Sequence, residues 1–209
     1  MKVALIGATG FVGTAILNEL LQRGHKVTAI MRNPEKLKAA DNMIALKADV
    51  ADEKAVAAAV ADNDAVVSAF NAGWTNPNLY EDFINGSKAI QAGVKAAGIK
   101  RLIIVGGAGS LFVADGLQLI DTPQFPEENK AGAGAAREYL NILQDERELE
   151  WSFLSPAIEM HPGTSGERRG TYRCGLDNPV FDDNKRSVIS VEDLAVAIAD
   201  ELENPKHIR

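Results

Sequence analysis

The sequence predicts an α/β domain built on a doubly wound parallel sheet. Six short apolar runs alternate with helical segments along most of the 209 residues. The runs are mainly apolar and do not alternate regularly with polar residues, which is typical of strands covered on both faces. The first run leads directly into the glycine-rich stretch GATGFVG at 7–13 and then into a helix. A strand, a glycine-rich stretch and a helix in immediate succession are typical of this fold class. The succession argues against glycines that serve only a tight turn.

The elements follow from local patterns in chain order. Strands are predicted at 3–6, 26–31, 43–50, 64–70, 101–105 and 151–154, and helices at 11–23, 52–61, 79–97, 129–146 and 190 to about 203. Gly24 and Gly98 are expected to end two of these helices, and Asp52 and Ser190 to cap two others, with Asp193 in capping-box-like spacing after Ser190. The buried stripe of the first helix is predicted as Phe11, Ala15, Ile16 and Leu20.

We expect residues 1–209 to form a single domain. Two stretches rich in glycine, proline and charge, around 111–128 and 159–186, interrupt the alternation of strands and helices. Each follows a predicted strand at its carboxyl end, the edge where open parallel sheets bind ligands. They are therefore interpreted as substrate-side insertions, the second forming a small C-terminal substrate lobe.

Composition narrows the possible partners. The net charge of −7 argues against a nucleic acid or an anionic membrane surface as partner. The single cysteine provides no disulfide framework, and the absence of clustered ligand residues predicts no metal site. The first apolar run is too short for a secretory or spanning segment. We expect a cytoplasmic monomer or small homo-oligomer.

The glycine-rich stretch is interpreted as a cradle for the pyrophosphate of a dinucleotide. Its spacing is GxxGxxG and so differs from the usual GxGxxG. One glycine permits the turn, one lets the pyrophosphate approach the backbone, and one lets helix and strand pack closely. The N–H groups and the dipole at the helix start favour a bound phosphate. The predicted cradle residues are Gly7, Thr9, Gly10, Phe11, Val12 and Gly13.

The end of the second strand favours NADP over NAD. An acidic residue there would hydrogen-bond the ribose 2′-OH of NAD, whereas an arginine accommodates the 2′-phosphate of NADP. Residues 26–34 contain no Asp or Glu, and Arg32 follows the strand. NAD remains possible, because a solvated arginine at a strand end is common.

Several motifs resemble those of a known family. GATGFVG, the strand end VTAIMR, the Asp49–Val50 pair and GGAGSL are similar to those of atypical short-chain dehydrogenases/reductases. The resemblance is strongest to the group with NmrA-like proteins, biliverdin reductase B and NADH-flavin reductases. It covers nearly the whole chain, most specifically the first 110 residues, and implies a Rossmann fold.

The resemblance also implies roles for individual residues. It places Asp49 at the adenine amino group, with Val50 beside it, and Ser110 near the nicotinamide. The remaining positions implied to border the cofactor are Phe70 at the end of the fourth strand, Asn71, Ala72 and Gly73 after it, and Ser155, Pro156 and Ala157 after the sixth strand.

The chain departs from the family at the catalytic pair. Classical members use Tyr-x-x-x-Lys, in which the lysine lowers the pKa of the tyrosine. Here the residues four positions after Tyr80, Tyr139 and Tyr172 are Ile84, Leu143 and Leu176. This argues against ordinary carbonyl reduction and against sugar epimerisation or dehydration. Hydride transfer to a planar flavin- or quinone-like acceptor fits better, because water can supply the proton and the protein need only hold the two rings face to face.

Three further positions are candidates for the reaction. Ser110 could orient either ring by a hydrogen bond, or it could serve only the turn. Trp74 could stack on a planar acceptor or could seal its loop onto the core. His161 lies in the predicted substrate lobe, where a lone histidine is more often a surface residue. The Arg168–Arg169 pair is interpreted as solvated, or as a contact for an acidic substrate group.

Two other functions remain open. One is an NmrA-like redox sensor that binds the dinucleotide without turnover. The other is a sugar epimerase or dehydratase in which another residue replaces the tyrosine.

Overall fold

The structure, a computed structural model, describes residues 1–209 and contains the predicted parallel sheet. Six strands are parallel in the order β3-β2-β1-β4-β5-β8. These are β1 (Lys2–Ile6), β2 (Lys26–Met31), β3 (Met43–Lys47), β4 (Ala65–Ser68), β5 (Arg101–Val105) and β8 (Glu150–Leu154). The doubly wound α/β fold class is confirmed.

Five helices cover the two faces of the sheet. They are α1 (Phe11–Gln22), α2 (Glu53–Val60), α3 (Leu79–Ala96), α4 (Lys130–Gln144) and α5 (Val191–Glu203). Helices α2, α3 and α4 pack on one another over one face, and α1 packs on α5 over the other. Each side has its own apolar core, one around Ile104 and Tyr139 and one around Leu5 and Ile198. No helix combines the length and hydrophobicity needed to cross a bilayer.

Helix caps agree with the sequence in part. The Asp52 side chain accepts hydrogen bonds from the N–H groups of Lys54 and Ala55, as a cap should. The Ser190 hydroxyl accepts from the N–H of Asp193 at 3.1 Å. The capping box is not reciprocal, however, because the Asp193 carboxylate accepts from the N–H groups of Arg169 and Gly170 instead.

The predicted stripe of α1 is wrong at its first position. Ile16 and Leu20 are fully buried, but the Phe11 side chain is 44% exposed. The first turn of α1 lies at the carboxyl edge of the sheet, and Phe11 lines a surface pocket there together with Thr9 and Gly10.

The two insertions contact each other at the carboxyl edge. Residues 111–128 contain a short antiparallel hairpin, β6 (Phe112–Ala114) and β7 (Leu117–Gln118), that sequence patterns did not predict. The Phe112 N–H donates to the Asp177 carbonyl at 2.8 Å, and Asn178 donates back to the Phe112 carbonyl at 2.7 Å. The two insertions are thus joined by hydrogen bonds in both directions.

Candidate functional site

The site lies where the sheet order reverses, between β1 and β4. The loops after these two strands touch, because Gly7 has no side chain: a Cβ there would lie 2.6 Å from the Ala69 carbonyl oxygen. Gly7 also has φ +84°, a left-handed conformation that other residues rarely adopt. Such a reversal point is where doubly wound sheets bind nucleotides.

The other two glycines of the cradle have different roles. A Cβ on Gly13 would lie 2.0 Å from the Gly7 carbonyl oxygen, so Gly13 allows α1 to pack closely on the turn. A Cβ on Gly10 would meet only that same oxygen, at 3.5 Å. The space beside Gly10 is therefore open, and a side chain there would occupy it.

The start of α1 carries unpaired donors. The first helical bond is from the Thr14 N–H to the Gly10 carbonyl at 2.9 Å, and the N–H groups of Phe11, Val12 and Gly13 have no acceptor within the protein. Gly10 supplies no capping side chain, and the first turn contains no acidic residue. Three free N–H groups at the positive end of a helix beside an open space fit a pyrophosphate.

The residues expected at the adenosine end lie close to the cradle. The Gly7 N–H donates to the Ile30 carbonyl of β2 at 3.0 Å. Arg32, just beyond that strand, is exposed, and its side chain makes no hydrogen bond or ion pair. Asp49 is also exposed; one of its oxygens accepts from the Ala51 N–H at 3.0 Å. Val50 is half-buried beside it. These assignments stay predictions.

The loop after β4 is fixed by its own side chains. The Phe70 ring stacks on Phe83, with the ring centroids 5.8 Å apart. The Asn71 side chain accepts from the Gly73 N–H at 2.7 Å, and Asn76 donates to the Ala72 carbonyl at 3.3 Å. These hydrogen bonds fix the shape of the loop at residues 71–73, which we call the 71–73 wall of the site and which lies beside the cradle.

Two hydroxyls meet at the ends of β5 and β8. Because these strands are neighbours, the Ser110 and Ser155 oxygens lie 3.5 Å apart. Ser110 is buried and donates to the Gly107 carbonyl at 3.2 Å. Gln118 of β7, a residue not predicted for the site, donates to the Ser110 carbonyl at 2.9 Å. No histidine or carboxylate contacts either hydroxyl, so the pair can orient a ligand but is not activated as a nucleophile.

Two of the three tyrosines are unsuited to proton transfer. Tyr139 is 1% exposed in the core, and burial raises the pKa of its phenol. Burial and a 2.7 Å hydrogen bond donated to Asp200 raise the pKa of Tyr172. Both phenols keep their protons well above neutral pH, and neither has a lysine partner.

Exposed aromatic residues border the site on its α3–α4 side. The Trp74 side chain is 63% exposed, and its ring lies over Gly132 in the first turn of α4. Tyr80 is 39% exposed and lies beside Gly134. Sequence reasoning missed Tyr80 and Gly132, because no local pattern indicates which glycine an aromatic ring will cover.

The lobe residues are engaged within the protein. His161 is exposed, and its Nδ1 accepts from the Gly163 N–H at 3.1 Å. Arg168 is neither simply solvated nor directed at a substrate: it forms a two-point ion pair with the buried Glu19 of α1. That pairing lowers the pKa of Glu19.

Pro156 and Ala157, like Ser155, line an open cavity. It has a volume of about 1850 Å³ and begins at Ser110 and residues 155–157. From there it runs along the outer edge of β8 as far as Arg209. Only the part of the cavity at Ser110 and residues 155–157 adjoins the site described above.

Comparison with known proteins decides the family. A family model described as NAD(P)H-binding matches residues 7–205, from the first glycine of the cradle to beyond α5. The chain belongs to this NAD(P)H-binding family. Its site therefore serves a nicotinamide dinucleotide, in agreement with the free donors at the start of α1.

Sequence relatives include reductases. An uncharacterized protein of Bacillus subtilis, YwnB, is 42% identical over 209 residues, covering 99% of this chain and 94% of that protein. Cinnamoyl-CoA reductase 1 of Arabidopsis thaliana is 28% identical over 121 residues, 53% of this chain and 35% of that enzyme. The likeness to that reductase is thus limited to about half of the present chain.

Similar solved structures extend the comparison. A candidate epimerase from Bacteroides thetaiotaomicron has a TM-score of 0.90 and 47% identity, covering 99% of this chain and 93% of its own. A candidate NADH-flavin reductase from Streptococcus pneumoniae has a TM-score of 0.84 and 36% identity, covering 100% and 95%. These likenesses confirm the resemblance to atypical short-chain dehydrogenases/reductases and the Rossmann fold.

Proposed function

We propose that this protein is an NADPH-dependent reductase that transfers hydride to a flavin- or quinone-like acceptor. One observation carries the proposal: the edge of the sheet offers a dinucleotide cradle and two orienting hydroxyls, but no acid–base pair. A site of this kind suits an acceptor that needs positioning more than protonation.

The cradle and the end of β2 account for the cofactor. The free N–H groups of Phe11, Val12 and Gly13 would hold the pyrophosphate. Arg32 has no partner within the protein, so its guanidinium is available to a 2′-phosphate. Asp49 would accept from the adenine amino group. This arrangement favours NADPH over NADH.

The reaction then depends on alignment. When bound, NADPH supplies a hydride from C4 of the nicotinamide; it is oxidised to NADP⁺, while the acceptor gains two electrons and one hydrogen and takes its second hydrogen as a proton from water. Ser110 and Ser155 lie 3.5 Å apart and can hydrogen-bond the carboxamide or an acceptor oxygen. The stiff loop at 71–73 would hold the nicotinamide side of the cradle in place.

Two alternatives each have an observation in their favour. The lack of a proton donor beside Ser110 also suits a redox sensor that binds the dinucleotide and turns nothing over. The 47% identity to a candidate epimerase favours a sugar epimerase or dehydratase. In that case a group other than Tyr139 or Tyr172 would have to move the proton.

The test is a turnover assay with several acceptors. Purified protein is mixed with NADPH and lumiflavin, FMN or menadione, and the absorbance of the reduced nicotinamide is followed. We expect NADPH oxidation that requires both protein and acceptor. Tight NADPH binding without oxidation by any acceptor would contradict the reductase and favour the sensor; turnover of a sugar nucleotide would favour the epimerase.

A further inference from the structure

Trp74 presents a large apolar surface, most of which is exposed. It follows the 71–73 wall of the site, and 63% of its side chain is exposed. Most tryptophans bury far more of their surface, because an indole in water forfeits a large hydrophobic gain. An exposed ring at the ligand-binding edge of the sheet is therefore a candidate stacking surface.

The ring is supported from below by a glycine. Gly132 is buried, and a Cβ on it would lie 2.7 Å from Cζ3 and 3.1 Å from Cη2 of Trp74. The Leu79 side chain lies 3.4 Å from the same point. The outer edge of the indole thus packs on the backbone of α4, while most of the ring is exposed.

Helix α4 contacts both the Trp74 ring and the turn that carries Ser110. A Cβ on Gly109 would lie 2.9 Å from the Ala133 Cβ, so the turn carrying Ser110 packs on α4 at the residue next to Gly132. Trp74 and the turn that carries Ser110 therefore contact neighbouring residues in the first turn of α4.

The charges around Trp74 oppose an anionic ligand. The neighbouring segments at 75–82 and 127–133 carry four carboxylates, Glu81, Asp82, Glu127 and Glu128, and a single cation, Lys130. Lys130 is paired with Glu127 at 2.6 Å. The next cation along α4, Arg137, is paired with Asp121 at 2.8 Å. No unpaired cation in these segments would receive a phosphate.

We propose that Trp74 is the stacking surface for the acceptor ring and that this acceptor is an uncharged planar molecule, a quinone or a neutral flavin without a phosphate. This assignment rests on the proposed function, since it names the acceptor of that reaction. The ring stacks on the exposed part of the indole, and the acidic surroundings weaken the binding of phosphorylated flavins by repulsion.

Equilibrium fluorescence tests the assignment without turnover. The chain has two tryptophans, the exposed Trp74 and the 5% exposed Trp151. With NADP⁺ present, lumiflavin should quench the Trp74 emission at about fivefold lower concentration than FMN, which has the same ring plus a phosphate. Added salt should narrow the difference, because it screens the repulsion. Equal or tighter quenching by FMN, or quenching that persists in Trp74→Phe, would overturn the proposal.

A matched pair of glycine variants tests the role of the support. Gly132→Ala forces the indole to move, whereas a Cβ on Gly134 in the same helix meets its nearest atom, of Tyr80, at an ordinary 3.5 Å. We expect Gly132→Ala to raise the KM for lumiflavin or menadione at least threefold, and Gly134→Ala to leave it near the wild-type value, with dinucleotide affinity kept in both. Equal KM values in the two variants would contradict a role for the supported ring.

The outcomes separate this inference from the reductase proposal. Quenching of Trp74 without any NADPH oxidation would remove the reductase while leaving the stacking site intact. NADPH oxidation with an unchanged acceptor KM in Trp74→Ala would keep the reductase and remove the stacking site.

Discussion

At the scale of single residues, the cradle glycines divide into those that serve packing and one that serves the ligand. Gly13→Ala should destabilise the protein by about 1–3 kcal/mol, because its Cβ would collide with the Gly7 carbonyl oxygen at 2.0 Å. Gly10→Ala should unfold at the wild-type temperature but lose at least tenfold in NADPH affinity, since its Cβ enters the open space. Thermal unfolding and calorimetric titration measure the two effects; Gly10→Ala binding NADPH normally would contradict the cradle.

A second residue-scale prediction concerns the choice of cofactor. Arg32→Glu should lower the affinity for NADPH about tenfold and leave NADH little changed, because the variant repels a 2′-phosphate. Lys38→Glu is the control, since Lys38 is exposed and unpaired and undergoes the same charge change. Titration of both variants with both dinucleotides gives the ratio of the affinity for NADPH to the affinity for NADH. If Arg32→Glu keeps the wild-type preference, Arg32 does not select the cofactor.

Sequence reasoning at this scale worked where a requirement is local. The three glycines and the Asp52 cap could be predicted because a turn or a helix start fixes the residue type. The partners of Arg168 and Asp193 could not. Glu19 is 149 positions from Arg168 in the chain, and only the packing of the lobe on α1 and α5 brings the two together.

At the scale of elements, the start of α5 holds the lobe in place. The buried Asp193 carboxylate accepts from the N–H groups of Arg169 and Gly170 at 2.9 and 2.8 Å. Asp193→Ala should therefore speed hydrogen exchange at 166–172 and cost about 1–3 kcal/mol, because both donors lose their acceptor. Exchange in the strands of the sheet should change much less. Asp183→Ala, at an exposed residue without hydrogen bonds, is the control; equal exchange in the two variants would contradict the anchor.

The elements themselves were largely predictable. All six strands of the sheet and all five helices appear within a few residues of the positions expected from apolar runs, caps and glycines. The hairpin of β6 and β7 was missed, because Phe112, Val113 and Leu117 are exposed and give no strand pattern. Its position depends on the contact between Phe112 and Asp177, which no local rule foresees.

At the scale of the whole molecule, Glu146 joins the end of α4 to α3 and makes stability depend on pH. Burial alone would raise the pKa of Glu146, but hydrogen bonds from the Glu148 N–H, Gln91 and Lys95 lower it to about 2. Because folding lowers this pKa, the charged Glu146 stabilises the folded protein at pH values above its unfolded pKa, near 4.5. That stabilisation is lost as the pH falls toward 2.

Glu146→Gln tests this dependence. The variant should be less stable than wild type by about 1.5–3 kcal/mol at pH values above the unfolded pKa, because hydrogen bonds to a charged acceptor are lost. The difference should shrink as acid protonates the wild-type carboxyl group. Urea unfolding across the pH range measures the difference in the free energy of unfolding. Glu35→Gln is the control, because Glu35 is exposed and unpaired. A constant difference at all pH values would contradict the lowered pKa.

The proposed reaction is direct hydride transfer from the nicotinamide to a planar acceptor without a Tyr–Lys pair. The most direct measurement is a single-turnover reaction with lumiflavin, comparing NADPH with NADPH deuterated at both C4 positions. We expect complete oxidation of the bound NADPH, with a slower rate for the deuterated form. Equal rates, or no oxidation while NADPH remains bound, would contradict it.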